Sequence, residues 1–128
     1  MPNSNRLPLD GERLLIIEDE VLIALDMEAT LLDAGAENVE LLTTRREAMA
    51  NLDGQGYTAA VLDIRVGNGT TYEIALRLND DNIPFIFCSG QDLSADMRAK
   101  LPDAILLRKP VMPSDLIQGI LQAIKQRA

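Results

Sequence analysis

Five short apolar runs, each four or five residues long and each followed by a stretch with helical spacing, constrain this chain more than any other feature. The runs are Leu14–Ile17, Val39–Thr43, Ala59–Leu62, Pro84–Cys88 and Ala104–Leu107. Behind the first, Ile23, Met27 and Leu31 recur every fourth position, and Gly35 is placed to stop the helix. Thr44 with Glu47 fits a capping box that opens a second helix. Further helices are predicted over Tyr72–Asn79 and Ser94–Leu101. The last opens at Pro113 and Ser114 and carries Leu116, Ile120 and Ile124 on one face. This alternation predicts an α/β fold: a five-stranded parallel sheet with helices on both faces. With right-handed crossovers the expected strand order is 2-1-3-4-5, with ligands beyond the carboxyl ends of the strands.

At 128 residues, 47% of them hydrophobic, the chain suits one domain, expected over residues 13–128, with 1–12 as a loose lead-in. No apolar run approaches the roughly 20 residues that span a bilayer, and the opening "MPNSNRLPLDGER" lacks the apolar centre of a secretory signal. The single Cys88 has no internal disulfide partner and suits a reducing compartment, so a cytoplasmic location is expected. Twenty acids against 12 bases give a net charge of −8, which argues against direct nucleic-acid binding. The chain has no His. That removes Ser-His and Cys-His triads, histidine zinc sites and histidine phosphoacceptors.

The residues that follow each strand form a pattern. The first delivers Glu18, Asp19 and Glu20, the third Asp63, the fourth Ser89 and Gly90, the fifth Lys109 and Pro110. Taken singly, each has a duller account: a charged helix start, a turn aspartate, a loop, a solvated lysine. Together they fall at the same end of their strands, and the first and third strands are expected neighbours. Two carboxylates about 4 Å apart repel by roughly 4 kcal/mol at an effective dielectric near 20. A cluster of them takes up protons or a cation, and hard oxygen ligands suit Mg²⁺.

The blocks "IIEDE", "VLDI", "FCSG" and "LLRKP" resemble, in order and spacing, the signature blocks of response-regulator receiver domains of two-component signalling. The resemblance covers roughly residues 12–127 and implies the flavodoxin-like, CheY-like fold. It implies Asp63 as phosphoacceptor and Glu18, Asp19, Asp63 and the Arg65 main-chain carbonyl as Mg²⁺ ligands. Ser89 matches the hydroxyl that moves toward the phosphoryl group, and Lys109 the lysine that pairs with it, ahead of a cis Lys109–Pro110 bond. The amides of Arg65 and Gly90 would bind phosphate oxygens. Glu20 has no role in that pattern and stands as a helix-start acid.

Three departures stand out. Leu106 occupies the position of the usual strand 5 aromatic, so an aromatic rotamer switch is not available. The loop "IRVGNGTTY" lacks the usual Pro and carries Gly67 and Gly69, which suggests mobility over residues 67–69. "FIFCSG" is similar to the receiver subclass nicknamed for a Phe-Ala-Thr-Gly run, without its following Tyr.

The implied function is a stand-alone regulator without an output domain, phosphorylated by a histidine kinase or histidine phosphotransfer protein. It would be a signalling domain rather than an enzyme, a monomer or weak dimer, with no membrane partner. A downstream protein is expected on the face of helix 4, strand 5 and helix 5, including Asp92, Arg98, Lys100, Arg108 and Gln118. The alternative is a receiver-like adaptor that works without phosphorylation. Haloacid-dehalogenase phosphatases and Toprim enzymes need a second Asp where Arg65 stands, and Glu18–Glu20 would repel a flavin phosphate.

Overall fold

The computed structural model describes residues 6–53 and 55–127. In chain order its elements are β1 (Arg13–Ile17), α1 (Val21–Asp33), β2 (Asn38–Leu42), α2 (Arg45–Ala50), β3 (Ala59–Leu62), β4 (Arg65–Val66), β5 (Gly69–Thr70), α3 (Tyr72–Asp80), β6 (Phe85–Ser89), α4 (Ala95–Lys100), β7 (Ile105–Arg108) and α5 (Pro113–Arg127). The parallel sheet runs β2-β1-β3-β6-β7. With the β4–β5 hairpin set aside, this is the expected order 2-1-3-4-5.

Alternation within the strands divides the core. Leu15, Ile17, Ala60, Leu62, Phe85 and Phe87 pack beneath α2, α3 and α4 with Ala48, Ile74, Leu78 and Met97. Leu14, Ile16, Ala59, Val61, Ile86 and Cys88 face α1 and α5 with Met27, Leu31, Leu116 and Ile120. Helices on both faces leave no wet side, so β3 and β6 are buried at every position. Thr44 and Ser94 cap α2 and α4, accepting from the amides of Glu47 and Met97 at 3.1 and 3.2 Å.

Two expectations need correction here. Within the lead-in, residues 1–5 lie outside the described residues, but Leu7–Glu12 is not loose. Leu9 is fully buried, its amide donates to the Ala34 carbonyl at 2.9 Å, and Glu37 donates to the Glu12 carbonyl at 2.8 Å. Gly35 permits this: its φ is +105°, and a Cβ there would lie 2.7 Å from Leu7 Cβ. Residues 67–69, expected as a mobile loop, belong to the paired hairpin. Arg65 pairs with Thr70 and Val66 with Gly69, and Gly67 (φ +63°) turns the chain at the first central position.

Candidate functional site

Sheet register builds the pocket. Ile17 is aligned with Leu62, so Glu18 and Asp63 leave neighbouring strands side by side. The Asp63 amide continues the ladder to the Ile17 carbonyl at 3.0 Å, and the Glu18 amide reaches the Leu42 carbonyl at 3.1 Å. Ser89 is aligned with Arg108, and the Lys109 amide donates to the Ser89 carbonyl at 3.0 Å. The next peptide, Lys109–Pro110, is cis. Lys109 then reaches back across the strand ends. Its ammonium donates to Glu18 Oε1 at 2.5 Å and to Asp63 Oδ2 at 3.1 Å, and Glu20 Oε1 lies 4.0 Å away.

Glu18 is 1% exposed, and burial pushes its carboxyl above the usual range against the opposing hydrogen bond from Lys109. Burial also pulls on Lys109, but its hydrogen bonds to Glu18 and Asp63 outweigh that and hold the ammonium above its ordinary value. Lys109 is therefore charged at neutral pH. One ammonium facing three carboxylates leaves negative charge in excess.

Carboxylate oxygens of Glu18, Glu20 and Asp63 lie within 4.8 Å of one another. Three hard oxygen donors so close, with surplus negative charge and one exposed member, fit a small divalent cation such as Mg²⁺. Glu20 is thus more than a helix-start acid. It occupies the N-cap position of α1, yet its side chain makes no capping hydrogen bond and leans into the pocket. Asp19 is the exposed residue between them, and its Oδ2 accepts from the Gly67 amide at 2.8 Å, so it stands outside the trio.

Ser89 is buried at the end of β6, and its Oγ accepts from the Gln91 amide at 3.3 Å. Beside it, a Cβ placed on Gly90 would meet nothing within 4 Å, so the space there is open to an incoming group. Arg65 opens the hairpin with an exposed side chain. Sequence reasoning missed Thr71. Fully buried, it donates its hydroxyl to the Asp63 carbonyl at 2.6 Å and its amide to the Ile64 carbonyl at 2.9 Å. A Thr just before a helix signals a cap, whereas this hydroxyl fixes the backbone of Asp63 instead.

At the other side of β7, Leu106 is half-buried in the core beneath α2–α4. The five residues expected on the helix 4, strand 5, helix 5 face, Asp92, Arg98, Lys100, Arg108 and Gln118, are all exposed. Asp92 pairs there with Arg108 at 2.6 Å and Arg98 at 3.5 Å.

A five-stranded doubly covered sheet with an acid–lysine pocket at its carboxyl end is the architecture of receiver domains, and comparison bears this out. The chain is 31% identical to a response regulator receiver protein from Sinorhizobium medicae, covering 94% of this chain and 99% of that one at a TM-score of 0.79. A CheY-like receiver domain protein from Methanospirillum hungatei superposes with a TM-score of 0.80 at 22% identity, covering 92% and 97%. Over 114 residues the chain is 30% identical to the phyllosphere-induced regulator PhyR of Methylorubrum extorquens, covering 87% of this chain but 43% of that protein. It therefore spans less than half the length of that curated relative. No family model matches. The chain belongs to the response-regulator receiver family, whose members are signalling domains. Among the described residues, no helix is long and apolar enough to cross a membrane.

Proposed function

We propose that this chain accepts a phosphoryl group on Asp63 from a phosphohistidine of a histidine kinase or phosphotransfer protein, and that the change in charge alters partner binding. The observation that carries this reading is Lys109, whose ammonium bridges two carboxylates 91 and 46 residues distant in sequence.

An Asp63 carboxylate oxygen attacks phosphorus as the bond to the donor's imidazole nitrogen breaks. The nitrogen leaves with that electron pair and takes a proton from solvent. A carboxylate is a weak nucleophile, so positioning and charge stabilisation supply most of the rate. Thr71 and the β1–β3 ladder fix Asp63, and Lys109 offsets charge on the transferring oxygens. Glu18, Asp63 and Glu20, with Asp19 and the Arg65 carbonyl at the rim, would hold Mg²⁺, which when bound neutralises further phosphoryl charge. The amides of Arg65 and Gly90 would donate to phosphate oxygens. After transfer, Ser89 and Lys109 turn to the new acceptor oxygens. Water attacking phosphorus then restores the carboxylate and releases inorganic phosphate.

Val21, Leu22, Leu25 and Met112, which follow pocket residues in sequence, are large exposed apolar residues. They offer a seat for an apolar helix face of the donor. A downstream partner is assigned to the α4–β7–α5 face. Incubation with a phosphorylated kinase should label the wild type at Asp63 and leave Asp63→Asn unlabelled yet folded. Equal labelling of that variant would overturn the assignment.

A further inference from the structure

Asp19 makes a contact that the phosphoacceptor reading does not require. Its carboxylate holds the Gly67 amide at 2.8 Å across 48 residues of sequence, tying the tip of the β4–β5 hairpin to the end of β1. The hairpin has only two residues in each strand, so its own ladder is weak. Its roots are firm: Val66 is 1% exposed and Thr71 fully buried. Its far strand lies under Arg45, whose guanidinium would overlap any Cβ at Gly69. The tip, Gly67 and Asn68, is exposed, and Asp19 is the side chain that holds it.

Resting on the cation reading above, we infer that Asp19 is a positioning residue with two places, one on the hairpin and one on the cation. In the first place its carboxylate holds the Gly67 amide and latches the hairpin tip. A double positive charge seated among Glu18, Glu20 and Asp63 attracts a carboxylate more strongly than a backbone amide dipole does. Asp19 lies between Glu18 and Glu20 at the end of β1 and turns toward the charge, freeing the Gly67 amide. Occupancy of the pocket is thereby reported to the segment directly after Asp63 without an aromatic side chain, which Leu106 does not supply.

The test is a Mg²⁺ titration of the full chain labelled with ¹⁵N-glycine and ¹⁵N-aspartate, following amide shifts and water-exchange rates. Shifts at Asp63 report cation binding independently of the latch. In the wild type, Gly67 exchange should rise by about tenfold as Asp63 saturates, as expected for loss of a charge-assisted hydrogen bond. In Asp19→Ala, Gly67 should exchange fast from the start and respond little to Mg²⁺. Asp19→Asn keeps an acceptor for Gly67 but loses the charge, so its Gly67 amide should stay protected throughout. Saturation at Asp63 with unchanged Gly67 exchange in the wild type would overturn the latch alone. No shift at Asp63 would overturn the cation reading and the latch with it.

Discussion

The two ends of the sheet treat charge differently. At the carboxyl end, Glu18 and Asp63 are buried, and each finds the same ammonium from a distant strand. At the amino end a cavity of about 340 Å³ is lined by polar residues including Asn79, Asn82, Lys100, Asp103 and Arg127. There Arg127 donates to the neutral side-chain carbonyls of Asn79 and Asn82, at 2.5 and 3.1 Å. The helices α3, α4 and α5 end nearby, each with a basic residue in its last turn: Arg77, Lys100 and Arg127. Cations at helix carboxyl termini complete the macrodipole and call for no ligand. The carboxyl-end pocket has no such local explanation: its charges are held in low dielectric by register alone. Polarity by itself therefore does not mark the site; buried charge assembled from several strands does.

Breaking the central pair should have the largest effect. Lys109→Met leaves Glu18 and Asp63 facing each other without a counter-charge and should lower stability by about 4 kcal/mol at pH 8. The loss should shrink as pH falls and the Glu18 carboxyl, already raised by burial, takes up a proton; denaturant titrations at pH 8 and at a lower pH measure both. An equal loss at each pH would mean that packing rather than charge holds the pocket.

A smaller effect lies one residue below the pocket. Burial pushes the Cys88 thiol up to about 12 from an ordinary 9.0. The unfolded thiol ionises first, so the folded chain holds the extra proton and stability falls as pH rises from 9 toward 12. Between pH 8 and pH 10 this amounts to about 1.4 kcal/mol. Cys88→Ala should lose that part of the alkaline slope, and thermal unfolding of both proteins across this range checks it. The amino end should be least sensitive. Arg127→Gln should change stability by less than about 1 kcal/mol and leave cation binding unaltered, as a half-buried cation at a helix terminus would.

Much of the fold was legible because the strands are buried on both faces. Uninterrupted runs such as Ala59–Leu62 and Phe85–Cys88 admit no other placement, and each strand boundary falls within one residue of its expectation. The β4–β5 hairpin was not legible, since two-residue strands carry no period and its glycines suggest mobility equally well. The packed lead-in was hidden for a similar reason: Leu9 sits between Pro8 and Asp10 with no repeating partner. In the pocket, Asp63, Glu18 and Lys109 were readable from their shared position after strands. Glu20 was misread because a helix-start acid and a pocket acid occupy the same place in sequence, and only side-chain direction separates them. The turn of Asp19 toward Gly67 depends on a contact 48 residues away, beyond any local pattern.

The most direct measurement is a titration of the chain with Mg²⁺ and beryllofluoride, a mimic of the phosphoryl group, followed by amide spectra. Saturable shifts at Asp63, Ser89 and Gly90 that need both reagents and vanish in Asp63→Asn are the predicted result. Shifts that persist in Asp63→Asn, or that saturate without Mg²⁺, would contradict the assignment of this pocket as a cation-assisted phosphoacceptor.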